Sequence, residues 1–279
     1  MLSSFVKTSA FFLASFSLSA SALEIEGQWR QGHILKGKVT EGSQVEFEGR
    51  KVRVAEDGRF LLGLDRDAPD TVSLKVTSSE GNEQVTSYQV EQREYKIQRI
   101  NGIKKKHMAP NKEQLDRIWK ENAAIKKARQ KDLARRDFEE QFKWPLLGPI
   151  SGVYGSQRIF NGEPRRPHYG VDVARPTGTV VVAPVTGIVT FAHDDMYFSG
   201  GTLVVDHGHG LSSSFIHLNK ILVEVGQEVA QGEPIAEVGA TGRVTGPHLD
   251  WRMNWFDKRV DPTVLVPPMP KWQPESIKK

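Results

Sequence analysis

Thr179-Val180-Val181-Val182-Ala183, Gly187-Ile188-Val189-Thr190-Phe191 and Thr202-Leu203-Val204-Val205 are three short, nearly continuous β-branched runs, with Gly, Pro and Asp between them. Runs of this length bounded by turn residues predict strands covered on both faces. Val225-Gly226-Gln227-Glu228-Val229 and Gly232-Glu233-Pro234-Ile235-Ala236 predict two more, joined by Gly turns. No helical period interrupts them after Trp144-Pro145, so residues 144–268 read as an all-β domain and 269–279 as a tail. Working back toward the N-terminus, Val72, Leu74 and Val76 alternate with Thr71, Ser73, Lys75 and Thr77, and Val52 and Val54 alternate with Lys51 and Arg53. With turn signals at Glu56-Asp57-Gly58 and Ser79-Glu80-Gly81-Asn82, residues 23–103 read as a small β-sandwich. His33, its one histidine, has no ligand-type neighbour. The fold class is therefore mainly β.

Between the two β regions, residues 104–143 form a basic connector. From Arg99 to Lys143 the chain carries 14 Lys and Arg against 7 Asp and Glu. Asn111 with Gln114 three residues on predicts a helix start with a capping box. Leu115, Ile118, Trp119 and Ala123 give a narrow apolar stripe, so the expectation is a solvated helix docked by Trp119 and continuing as a polar stretch to about Asp137. The basic face suits an anionic wall polymer as a second use.

Residues 1–22 read as an export signal: Lys7, an apolar run from Ala10 to Leu18, and Ala20-Ser21-Ala22 as an A-x-A cleavage site. The run is shorter than the ~20 residues that span a bilayer. The expected location is the periplasm, with at most peripheral contact with membrane. The chain has 279 residues and no Cys, which excludes disulfide frameworks, thiolate zinc sites and cysteine nucleophiles. A formal charge of +4 is too small to imply nucleic acid. The absence of H-E-x-x-H, G-x-S-x-G and a P-loop removes helical zincins, serine hydrolases and P-loop chemistry.

Any metal must then be held by His and carboxylates. His168-Tyr169-Gly170-Val171-Asp172 is one such pair, but on a straight strand its two side chains would lie ~13 Å apart at ~3.3 Å per residue. Two donors on one zinc cannot be that distant, so the chain must bend near Gly170, where the missing Cβ makes bending cheap. In Gly246-Pro247-His248-Leu249-Asp250-Trp251-Arg252-Met253, apolar Leu249, Trp251 and Met253 alternate with His248, Asp250 and Arg252. Three polar residues in a row on one strand face are costly unless paired or lining a cleft. His217 sits among apolar neighbours in Phe215-Ile216-His217-Leu218. His207 and His209 read as a hairpin turn, His193 as a loop residue and His107 as part of the connector.

Taken in order, H-x-G-x-D at His168, Gly170 and Asp172, Ala183-Pro184 with Gly187, His207-Gly208-x-Gly210, His217-Leu218, the V-x-x-G-x-x-V-x-x-G turn and Gly246-Pro247-His248-Leu249 resemble the lysostaphin-type (LytM-like) zinc endopeptidases of bacterial cell walls. The resemblance covers about Trp144 to Val266, and Arg158 and Asn161-Gly162 fit it. The β domain and basic helix ahead are similar to exported Gram-negative members. It implies an antiparallel peptidase core of the duplicated hybrid-motif type and one Zn2+ per chain held by His168, Asp172 and a third ligand. That third position, the second histidine of an H-x-H in the family, is Asp250 here. His217 and His248 are implied to be catalytic, steadying the oxyanion and moving protons. The implied substrate is the peptide cross-bridge of peptidoglycan, with peptide stems and other wall hydrolases as partners.

Asp250 admits two readings. It binds zinc by oxygen at ~2.0–2.2 Å, giving a His, Asp, Asp site without net charge where the usual set carries +1; or Arg252, on the same face, takes it as a salt-bridge partner, leaving a non-enzymatic wall-binding or hydrolase-regulating protein. The joint presence of His168, Asp172, His217 and His248 favours the first. The hairpins near Val225 and Gly232 also resemble lipoyl or biotinyl carriers, but no Lys stands at a Gly-flanked turn there.

Overall fold

The structure, a computed structural model, describes residues 23–102 and 111–272. The expected signal at 1–22, the boundary at 103/104, His107 and the end of the tail lie outside the described residues. The first seven strands are β1 (Glu24–Glu26), β2 (Ile34–Lys38), β3 (Gln44–Phe47), β4 (Arg50–Val52), β5 (Arg59–Gly63), β6 (Thr71–Thr77) and β7 (Glu83–Gln89). They make two antiparallel sheets, β1-β2-β5 and β4-β3-β6-β7. The alternation in β6 buries Val72, Leu74 and Val76, as a half-buried strand requires. β8 (Ile97–Ile100) leaves these sheets and pairs in parallel with β10 (Gln157–Phe160).

Helix α1 (Lys112–Arg129) starts on the capping box that Asn111 and Gln114 form reciprocally. Its docking differs from expectation. Trp119 is 74% exposed, and the helix is held by Ile118 and Ala128, with Glu121 and Ile125 half-buried between them. Positions 118, 121, 125 and 128 form a stripe rotated away from the one drawn through Trp119. At its other side Arg117 meets Asp195 at 3.0 Å and the Glu121 carboxylate accepts from the Tyr197 N–H at 2.8 Å. The helix stops at Arg129, and a single 3-10 turn, Asp137–Glu139, buries Phe138 further on.

The remaining strands are β9 (Ile150–Gly152), β10, β11 (Glu163–Pro164), β12 (Val171–Val173), β13 (Val180–Val182), β14 (Gly187–Met196), β15 (Gly200–Asp206), β16 (Leu211–Ile221), β17 (Glu228–Val229), β18 (Pro234–Val238), β19 (Leu249–Trp255) and β20 (Lys258–Val260). All but β10 and β11 join one large antiparallel sheet with the path β17-β14-β15-β16-β19-β12-β9. Every residue of β15 is buried, in keeping with its β-branched run. His193 lies within β14, not in a loop as expected; its ring stacks on Phe191, extending the strand.

The N-terminal sheets and the large sheet share one apolar cluster, which includes Phe47, Leu62, Trp251 and Trp255. Phe47 meets the edge of Trp255 at 6.1 Å between ring centroids, and Gly63 lies flat against the same indole. Arg53 with Asp132 at 2.8 Å and Arg93 with Asp261 at 3.0 Å tie the periphery together. No helix among the described residues is long and apolar enough to cross a membrane.

Candidate metal centre

The register of two strands places the two carboxylates. β12 pairs with β19 so that Asp172 stands opposite Asp250. Directly opposed residues in an antiparallel pair project to the same face with Cβ atoms about 5 Å apart. Trp251, Met253 and Trp255 point the other way and are buried in the core. His168 precedes β12, held by backbone bonds to Gly155 and Ser156 at 2.8 Å, and the chain turns at Gly170 to return its ring over the strand. Its Nε2 lies 3.2 Å from Asp172 Oδ1 and its Nδ1 3.9 Å from Asp250 Oδ2. One ligand atom from each of His168, Asp172 and Asp250 falls within 4.8 Å of the other two.

These donors fit a divalent cation. His168 Nε2 and Asp172 Oδ1 are both buried, and neither makes a hydrogen bond. Two donors ~2.0–2.1 Å from a tetrahedral zinc stand ~3.3 Å apart, which is the spacing this orphaned pair already has. The space is kept by glycines. A Cβ on Gly152 would come 2.1 Å from Asp172 Oδ2, and one on Gly170 would come 2.4 Å from Asp250 Oδ1. Gly170 thus serves by what it leaves empty, beyond the cheap bending expected of it.

Arg252 also grips Asp250. Its Nε donates to Oδ1 at 2.9 Å and Oδ2 at 3.1 Å, and its Nη2 donates to Oδ2 at 2.5 Å. Burial alone would push the Asp250 carboxyl up, but the charge and hydrogen bonds of Arg252 more than offset this and hold it at about 2. Each carboxylate oxygen has two acceptor sites, so the three bonds of the fork leave one free, on Oδ1. The two readings of Asp250 are therefore compatible in one geometry.

His217 and His248 adjoin this cluster, their rings 5.0 Å apart. By strand alternation His217 would follow Phe215 into the core, since Ile216 opposes Asp250. A positive φ of 66° re-aims it, as at a bulge. Its Nδ1 pairs with the Thr241 carbonyl at 2.9 Å, and His248 Nδ1 pairs with the Gly246 carbonyl at 2.8 Å. A carbonyl only accepts, so both Nδ1 atoms carry hydrogen and both Nε2 atoms are left with a lone pair when neutral. His248 Nε2 lies 3.9 Å from Asp172 Oδ1. Burial lowers the His217 pKa, which favours the neutral ring.

Residues 166–262 match peptidase family M23. The Vibrio cholerae peptidoglycan DD-endopeptidase ShyA is 40% identical over 102 residues, 33% of this chain and 24% of the relative. The Caulobacter vibrioides cell division protein DipM is 32% identical over 133 residues, 46% of this chain and 21% of the relative. A crystal structure of an M23-family protein from Pseudomonas aeruginosa superposes with a TM-score of 0.68 at 29% identity, covering 86% of this chain and 96% of that one. The likeness to peptidase family M23 lies in residues 166–262. The chain spans about a quarter of the length of the curated relatives it matches.

Within the M23 segment the other histidines stay apart from the centre. His207 and His209 occupy the β15–β16 turn, as expected, and are buried. His207 Nε2 meets Ser213 Oγ at 2.7 Å and its Nδ1 the Thr186 carbonyl at 2.9 Å. His33 is half-buried just ahead of β2. Sequence reasoning missed Gly152 and Thr241, which shape the site through a missing Cβ and a backbone carbonyl and carry no motif of their own.

Proposed function

We propose that the chain is an exported zinc metalloendopeptidase that hydrolyses peptide cross-bridges of peptidoglycan in the periplasm, with His168, Asp172 and Asp250 as metal ligands and His217 and His248 as catalytic residues. The observation that carries this reading is the orphaned, facing pair His168 Nε2 and Asp172 Oδ1. The M23 match over residues 166–262 and likeness to a peptidoglycan DD-endopeptidase support the substrate class, and the signal read at 1–22 supports the location.

A bound zinc supplies Lewis acidity toward the scissile carbonyl and toward water. His217 and His248, each fixed in the Nδ1–H tautomer, present Nε2 as a proton acceptor. Once protonated, either donates to the developing oxyanion or the leaving amine, a role typically worth about 10²–10⁴-fold. Arg252 holds one rotamer of Asp250 and adds a positive charge. His168, Asp172 and Asp250 with a divalent cation are neutral together, and counting Arg252 restores the +1 of a two-histidine, one-carboxylate set. Chelator-sensitive release of soluble peptides from purified peptidoglycan by the wild type, and its loss in His168→Ala, is the expected result. Release at the wild-type rate by that variant would refute the metal assignment.

A second reading, a non-enzymatic wall-binding or hydrolase-regulating protein, is favoured by one observation, the three-bond fork of Arg252 on Asp250. Zinc-free protein that is inactive yet binds peptidoglycan would support it.

A further inference from the structure

Beside the metal centre the chain gathers positive charge that the other described residues do not fully neutralise. Arg129 ends α1, Arg166 precedes His168, and Arg252 and Arg259 lie on β19 and β20. They stand near enough to repel one another: burial first, then the charges of Arg252 and Arg166, push the Arg129 guanidinium down to about 10, and burial with the other three arginines lowers Arg259. Of these four, only Arg252 has a carboxylate partner among the described residues. Arg259 meets the Asn254 side-chain oxygen and the Tyr169 ring at 5.9 Å. Arg166 has the same ring at 5.4 Å, and Arg129 makes no side-chain hydrogen bond or ion pair among the described residues.

Two adjoining cavities open among these groups. One, of about 230 Å³, is lined by Lys126, Arg129, Arg166, Phe256 and Asp257 among others; the other, of about 190 Å³, by Arg66, Arg166, Tyr169 and Arg259 together with acidic residues. The acidic groups in their walls are already engaged: Asp257 by Arg50 at 2.9 Å, Asp65 by Lys258 at 3.3 Å and Asp67 by Arg66 at 2.5 Å. Gathering like charges in one place is unfavourable unless an anion joins them. Guanidinium forks match a carboxylate in two parallel hydrogen bonds. Tyr169, adjacent to His168, connects the second cavity to the metal centre.

We propose that Arg129, Arg166 and Arg259 form a carboxylate subsite that takes a free carboxylate of the peptide substrate and fixes its register against His217 and His248. This deepens the peptidase reading and rests on it for the identity of the ligand as a peptide. The carboxylate pairs with guanidiniums that the wall carboxylates, each held by another cation, do not engage, while Phe256 and Tyr169 give apolar walls for the adjoining peptide.

The test measures binding of the full chain, in chelator so that no hydrolysis occurs, to the synthetic stem peptide L-Ala-γ-D-Glu-L-Lys-D-Ala and to the same peptide with its carboxyls amidated. The wild type is expected to bind the acid about tenfold more tightly than the amide. Arg129→Gln and Arg166→Gln, each checked for an unchanged melting temperature, are expected to bring that ratio close to one while leaving the amide's affinity unaltered. Arg166 is exposed, so its variant stays informative even if the helix variant is unstable. A wild-type ratio of one, no binding of either peptide, or an undiminished ratio in both variants would overturn the subsite. Peptidoglycan hydrolysis by metal-loaded wild type, run in parallel, separates the two ideas: hydrolysis with an undiminished ratio sinks the subsite alone, and a ratio lost in the variants without hydrolysis sinks the enzyme alone.

Discussion

At the scale of single residues, the centre depends on what is absent as much as on what is present. Gly152 faces Asp172 and Gly170 faces Asp250 so closely that a methyl group at either displaces a carboxylate oxygen. Gly152→Ala is expected to weaken zinc binding at least about tenfold, since loss of ligand or supporting geometry typically costs 10–100-fold in metal affinity. Competition titration against a chromogenic chelator measures this. Unchanged affinity would mean that the Asp172 oxygen facing Gly152 has no part in the site. Much of this cluster is legible in the sequence, because His168, Asp172, His217 and His248 sit in spaced motifs and Asp250 and Arg252 share a strand face. Their mutual distances are not legible. They follow from the register that sets Asp172 opposite Asp250, and from a left-handed backbone at His217 that no local pattern announces.

At the scale of elements, the β15–β16 turn holds two buried titratable groups of opposite tendency. Burial raises the Asp206 carboxyl to about 6, although the Gly208 N–H donates to it at 2.9 Å. Burial lowers His207 to about 4. A carboxyl raised on folding contributes stability at low pH that is lost as pH rises from about 4 to 6. An imidazole lowered on folding contributes stability at neutral pH that is lost as pH falls from about 6.5 to 4. Across pH 4–6 the two slopes oppose, each worth about 2 kcal/mol within that window. In Asp206→Asn, which keeps the acceptor for Gly208, only the histidine slope remains. Urea melts should therefore show the variant gaining about 2 kcal/mol on the wild type between pH 4 and pH 6; a constant difference would contradict the assignment. Strands were the most readable elements, because β6 and β15 carry their burial in plain alternation or in continuous β-branched runs. Helix α1 was readable at its capped start but not in its docking, since four weakly apolar positions define more than one stripe and only the sheet beneath selects Ile118 and Ala128 over Trp119.

At the scale of the whole molecule, the N-terminal sheets are packed onto the M23 sheet and are not strung beside it. Phe47 and Gly63 meet Trp255, whose strand also carries Asp250. A Cβ at Gly63 would stand 2.6 Å from the Trp255 Cβ, so Gly63→Ala forces two sheets apart. Overpacking of this kind costs about 1–3 kcal/mol. Calorimetry of the full chain should show one cooperative transition that moves down in temperature in the variant. Two transitions, only one of them shifted, would show that the sheets do not share a core.

The central claim is that His168, Asp172 and Asp250 hold a metal while Arg252 grips Asp250. The measurement that tests it most directly is zinc content by elemental analysis of the purified full chain, dialysed near neutral pH, beside His168→Ala. The account predicts about one zinc per wild-type chain and its loss in the variant. A zinc-free wild type, or equal zinc in both, would contradict it.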